Sequence, residues 1–254
     1  RLLQFLIPEA LVRIFGISVE LAYIVQRLVF VLATFCLFYQ YATKWFDARE
    51  ALACVVIMAC LMPLTYRNHL QESAPLLCLT YLGLFWALRE KKILLYVLIF
   101  MLGGLNNETV LFIPAVYFFV SVDLDRERDI FRQGLYAVLL AIPAYAVVGT
   151  IRWITRERPH LGGAFHLWEN IGDVGNLLVV FNVFWVLAFL RFKHKPRFLR
   201  RALMTIPLFI APHMVTGIIA ETRQMLPLSF IIIPAAVVWW TRRASGLRAS
   251  GPPS

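Results

Sequence analysis

The chain has 254 residues, 60% of them apolar and 16% charged, against roughly 45–50% and 25% in soluble domains, and this balance excludes a water-soluble globule. Its net charge of +10, from 25 Lys and Arg against 15 Asp and Glu, would point to nucleic acid in a soluble protein. Here the basic residues fall in short loops between apolar blocks, where they set topology instead, so the expected partner is the lipid bilayer and not nucleic acid.

The sequence opens on Arg1, and no charged-then-apolar leader precedes the first block, so it is expected to begin partway along a longer protein. Leu2–Gly16 (LLQFLIPEALVRIFG) is too short to cross and carries Glu9 and Arg13. It predicts an interfacial helix on the outer surface, within residues 1–20. Apolar blocks follow at Leu21–Tyr41, Ala51–Thr65, Ala74–Leu88, Ile93–Leu105, Val110–Val122, Gly134–Ile151, Leu177–Leu190, Ala202–Ala220 and Met225–Trp240. The fold class is therefore all-α: one polytopic transmembrane helical bundle over residues 1–248, with short or re-entrant helices and an outer interfacial helix, then a disordered tail at 249–254. Cys36, Cys54, Cys60 and Cys78 all lie inside apolar blocks without ligand spacing and read as small hydrophobes.

Ile93–Leu105 and Val110–Val122 have 13 residues each, about 20 Å of helix, whereas the hydrocarbon core is about 30 Å thick. Their outer flanks, Arg89–Lys92 and Asp123–Arg132, are both charged and rich in basic residues. The pair predicts a re-entrant hairpin over 93–122 that enters and leaves by one face, with Asn106, Asn107, Glu108 and Thr109 at its tip within the membrane's depth. With the hairpin returning, Lys and Arg total 17 on one side and 8 on the other, so the first side is expected to be cytoplasmic. Trp239 and Trp240, beside Arg242 and Arg243, fit an inner aromatic belt. The polar residues of Tyr66–Glu72, the loop Arg152–Asn176 and Glu221–Gln224 then meet on the outer face, where any chemistry is expected.

Glu108 is the candidate catalytic residue, because a carboxylate between two apolar half-helices is costly unless paired or wet. A local reading is compatible: Asn107 or Thr109 caps the second half-helix and Asn106 supports the tip. Arg223, ahead of Pro227 and two residues after Glu221, is the candidate phosphate-binding cation, its planar fork matching a phosphate; a boundary ion pair with Glu221 or a lipid headgroup contact is the alternative. Arg67 in YRNHLQES has the same two readings, supported by His69 and Glu72, and His69 reads either as a satisfied polar residue or as a proton-transfer group. His160, His166, Glu169 and Asp173 match no metal-ligand spacing, so no metal site and no cofactor is expected from the chain itself. The aromatics Trp153, Phe165 and Trp168 suit either membrane docking or stacking on a sugar.

Three stretches carry a family resemblance. RLLQFLIPEALVRIFG resembles the Arg-Leu-Leu/Val-x-Pro region after the first large external loop of bacterial GT-C type glycosyltransferases. LGGLNNETVLFIPAVYFF is similar to an Asn-Lys-Glu-Thr element of some of them, with Asn107 where Lys is common, and ETRQMLPLSFIIIPA resembles their late Glu-x-Arg-x-x-x-Pro element. The resemblance implies an integral-membrane enzyme of the bacterial inner membrane, taking a sugar from a polyprenyl-phosphate donor on the extracytoplasmic face and passing it to a glycan, lipid or protein acceptor. The family's acidic residues, which act as base or hold a divalent metal, would lie upstream of Arg1, leaving Glu108, Arg67 and Arg223 as supports of the donor site. Two other classes stay open: a transporter or flippase-like binding protein, since broken helices with polar tips also serve transport, and a noncatalytic partner in a membrane complex.

Overall fold

The computed structural model describes residues 2–65, 73–123, 125–155 and 165–249, with side chains to 241. Arg67, His69, Glu72, His160 and the tail from 250 onward lie outside the described residues. Every regular element among the described residues is helical. The first half contains α1 (Leu3–Phe15), α2 (Val19–Ala42), α3 (Ala48–Thr65), α4 (Ser73–Arg89), α5 (Ile93–Asn106), a 3-10 turn (Glu108–Phe112), α6 (Ile113–Ser121) and α7 (Glu127–Ile154). Then come α8 (Leu167–Gly172), α9 (Gly175–Phe181), α10 (Val183–Phe189), α11 (Arg197–Leu203), α12 (Ile206–Thr216), a 3-10 turn (Thr222–Leu228) and α13 (Ser229–Ala249). Four segments, α2, α3, α7 and Thr222–Thr241, are long and apolar enough to cross a membrane, while α4, α5 and Glu108–Ser121 are apolar but shorter.

The chain divides into two compact units, one of residues 1–37 and 70–165, the other of residues 38–69 and 166–254. In the first, α4, α5, α6 and α7 run alternately up and down. The Tyr96 and Tyr117 rings lie 6.2 Å apart, and a Cβ on Gly103 would sit 3.2 Å from Val110; both pairs are centred between Asn106 and Asn107, which makes α5 and α6 an antiparallel hairpin. The return along α7 is marked by Tyr117 donating to Gln133 Oε1 at 3.2 Å and Tyr145 donating to Leu111 O at 3.1 Å. The charged segments 89–92 and 123–132 thus share one end of the unit, and Ser73, Asn106, Glu108 and Arg152 share the other. The tip meets Arg152, in the last turn of a 28-residue helix about 42 Å long. It therefore lies at the end of α7 and not halfway along it.

Gly103 and Gly104 make this close packing possible. A Cβ at Gly103 would fall 2.6 Å from Thr80 Cγ2, and one at Gly104 would fall 3.1 Å from Val148 Cγ2, so α5 is wedged between α4 and α7 on its two missing side chains. Small residues serve this purpose in membrane bundles, where close backbone approach replaces the hydrophobic drive of water. Thr80 is β-branched and its hydroxyl is bonded to Leu76 O at 2.8 Å, so it yields little. Gly103→Ala is expected to destabilise the protein by about 1–3 kcal/mol, read by equilibrium unfolding in detergent, with Gly104→Ala costing less.

The first helix begins at the tip end, where Leu2 N–H donates to Leu105 O at 2.7 Å. It stops at Gly16, whose φ of 64° suits a residue without Cβ and whose N–H returns to Val12 O. Leu2, Phe5, Leu6, Ile14 and Phe15 are exposed beside a Glu9–Arg13 ion pair, a composition that fits an interfacial helix.

In the second unit α13 is the core. Residues Phe230 to Val238 are buried, with α3, α10 and α11 packed around them, and Phe38 meets Phe230 edge-on at 5.2 Å. The start of α3 is set by reciprocal bonds, Glu50 N–H to Asp47 Oδ1 at 2.8 Å and Asp47 N–H to Glu50 Oε2 at 3.4 Å, a capping box built with Asp. Two apolar blocks that read as single helices are broken. Leu177–Leu190 divides at Asn182, which takes φ 45°, and the Trp185 indole donates to the freed Leu177 O at 2.7 Å. Ala202–Ala220 divides at Met204-Thr205, because Pro207 lacks the N–H that would continue α11 and instead opens α12.

Candidate functional site

At the tip of the first unit, Asn107 is the capping residue: its Oδ1 accepts Thr109 N–H at 3.0 Å. Asn106 is fully buried and ties the end of α5 to the start of α4 through Nδ2 to Ser73 O at 3.3 Å. Tyr81 donates to Thr109 O at 2.6 Å. Three of the four tip residues are therefore held by backbone or by buried bonds. Glu108 is the one that projects outward: it accepts Arg152 Nε on Oε1 at 2.9 Å and the adjacent guanidinium nitrogen on Oε2. The fork matches both carboxylate oxygens, the strongest geometry open to such a pair. Their side chains are 48% and 65% exposed, so the pair is reachable from outside the helices.

Arg152 entered the sequence reading only as a loop charge. It is 44 residues from its partner, and no local spacing announces the contact. Arg152 also ends α7, where a cation is favoured by the helix dipole, so it is positioned twice over.

Arg223 and Glu221 belong to the second unit and are described there by themselves. The Arg223 side chain is 5% exposed and forms an ion pair with Glu221, whose Oε2 also accepts Gln224 Nε2 at 2.9 Å. Thr222 beside them donates to Thr65 O at 3.2 Å. The guanidinium is thus fixed and shielded, in contrast to Arg152. Arg67, His69 and Glu72 fall outside the described residues, and no geometry attaches to them.

Within the loop before α8, His166 Nδ1 lies 2.8 Å from Glu169 Oε2, and among the described residues no group of three His, Cys, Asp or Glu could hold a metal ion. The residue that organises this region is Asn170, which sequence reading passed over. It is 1% exposed, and its amide Nδ2 donates to Met214 O at 2.9 Å and Gly217 O at 2.7 Å while Oδ1 accepts Ile219 N–H at 2.8 Å. It satisfies the open carbonyl end of α12. His213 in that helix is also buried, its Nδ1–H donating to Phe209 O at 2.7 Å and its ring stacked on Phe209 at 4.5 Å.

No family model, no curated protein and no solved structure matches the chain. The function is therefore argued from the chain's own residues, and the Glu108–Arg152 pair is the site they offer: an accessible carboxylate and guanidinium at one end of an apolar bundle, held by a capped and glycine-wedged hairpin.

Proposed function

We propose that the chain is a membrane glycosyltransferase, or the C-terminal part of one, that moves a sugar from a polyprenyl-phosphate donor at the extracytoplasmic face of a bacterial inner membrane. The observation that carries the reading is the half-exposed, two-pronged Glu108–Arg152 pair, whose carboxylate lies in the stretch that resembles the GT-C Asn-Lys-Glu-Thr element. A donor phosphate competes for the Arg152 fork, which suits phosphate as well as carboxylate. Displacement frees Glu108 to accept the proton of an acceptor hydroxyl. That oxygen bonds to the anomeric carbon as the carbon–oxygen bond to phosphate breaks, and the polyprenyl phosphate leaves with its charge on the guanidinium.

Donor binding by the full-length protein, measured with a radiolabelled polyprenyl-phosphate sugar in detergent, tests the assignment. A charge-assisted hydrogen bond contributes about 1.5–3 kcal/mol, so Arg152→Ala is expected to weaken binding by about tenfold to a hundredfold and Arg152→Lys by less. Arg223→Ala is read in the same assay. If its loss matches that of Glu221→Ala and the double variant is no worse, Arg223 acts as an ion-pair partner; a loss in donor affinity specific to Arg223→Ala assigns the phosphate to it. Unchanged affinity in folded Arg152→Ala removes the carrying observation.

A further inference from the structure

The opposite end of the second unit holds a cavity that the proposed transfer does not use. It has a volume of about 210 Å³ and is lined by Arg191, His194, Lys195, Val238 and Trp239. We propose that it binds the phosphodiester headgroup of an anionic membrane phospholipid, beside the basic stretch Arg191–Arg201.

Charge is the first support. From Val174 to Ser254 the sequence contains a single acidic residue, Glu221, and that one pairs with Arg223. The stretch Arg191–Arg201 contributes six Lys and Arg. Lys195 is 5% exposed, and its Nζ donates to Ala235 O at 2.6 Å and Leu187 O at 3.3 Å. Carbonyl dipoles hold an ammonium in place without cancelling its charge, so the buried lysine is a fixed positive wall.

Shape and surroundings select the ligand. The volume lies below the roughly 300–1,000 Å³ of sites for drug-sized molecules, which suits a headgroup and not a nucleotide. The residues that adjoin the cavity in sequence are apolar and exposed: Phe189 at 43%, Leu190 at 41% and Trp240 at 68%. An amphiphile satisfies both features at once, its phosphate among the cations and its chains along Phe189 and Leu190. Arg191 itself is turned by a left-handed backbone, φ 51°, a strained conformation for a residue with a Cβ, at the point where α10 ends and the basic stretch begins. Basic pockets between helices on the cytoplasmic side take anionic lipid headgroups for these reasons.

Native mass spectrometry of the full chain, released from nanodiscs of equimolar phosphatidylglycerol and phosphatidylcholine, tests the site. Selective retention of phosphatidylglycerol is expected. Arg191→Gln, an exposed residue whose loss spares the fold, is expected to reduce that retention by about tenfold, the lower end for a charge-assisted contact. Arg197→Gln removes the same charge outside the cavity and is expected to leave retention unchanged. Equal retention of the two lipids, or equal losses in the two variants, overturns the proposal in favour of a diffuse basic surface. Displacement of the lipid by millimolar inorganic phosphate also overturns it, because the site then serves a free anion.

Discussion

Glu108→Gln is expected to lower sugar transfer by about a hundredfold or more, because a positioned general base contributes about 10²–10⁴ in rate, while folded yield stays close to that of the parent. Glutamine keeps the side-chain length and one acceptor oxygen for Arg152, and the tip is fixed independently by Asn107 Oδ1 to Thr109 N–H and by Asn106 to Ser73 O. The change removes the carboxylate's charge and its second acceptor oxygen and leaves the bonds of the tip in place. An exposed ion pair contributes about 0–1 kcal/mol to stability, so a purely tethering role predicts a small loss in yield and an equal, small loss in rate. Initial rates and donor affinity measured on the full-length protein separate the outcomes: a fall in turnover with donor affinity kept supports the base, and parallel small losses assign Glu108 to holding the hairpin.

Asn170→Asp is expected to be the most damaging isosteric change in the second unit, destabilising it by about 3 kcal/mol or more, since stranding buried polar partners costs about 1–3 kcal/mol each and more when charge is involved. The exchange replaces the donating amide with an oxygen that faces the carbonyls of Met214 and Gly217. Asn170→Ala leaves the same groups open without adding charge and falls between the two. Asp173, exposed in the same loop, is the control: Asp173→Asn should move the unfolding midpoint in detergent very little. Equal midpoints for Asn170→Asp and the parent would mean that α12 does not depend on this cap.

Much of the architecture is written in the apolar blocks. The spans of α2, α3, α4 and α5 fall where runs of apolar residues meet charged flanks. The breaks in the second unit are less legible because apolar composition does not distinguish one long helix from two short ones. Asn182 is the lone polar residue in its block, a faint mark, and Pro207 marks the start of α12 only if the preceding turn is already suspected. Site legibility follows sequence distance. Glu221 and Arg223 are neighbours, and their pairing is foreseeable; Glu108 and Arg152 meet only through the register of α5, α6 and α7, which the two glycines set by absent side chains. Asn170 was hidden for another reason: it stands among His166, Glu169 and Asp173, whose ionisable groups draw the eye toward a ligand, while its own work is to finish a helix made over forty residues later.

The burial of α13 among α3, α10 and α11 has a bearing on how the protein is made. Helix α3 leaves the ribosome early, yet the helix it packs against begins at Ser229. At translation rates of about 5–20 residues per second, α3 spends on the order of ten seconds or more without that neighbour. Helices α4 to α7, by contrast, find their neighbours in the order in which they emerge. Biogenesis is thus split in time: one set of helices assembles as it is inserted, and α3 waits in lipid for α13.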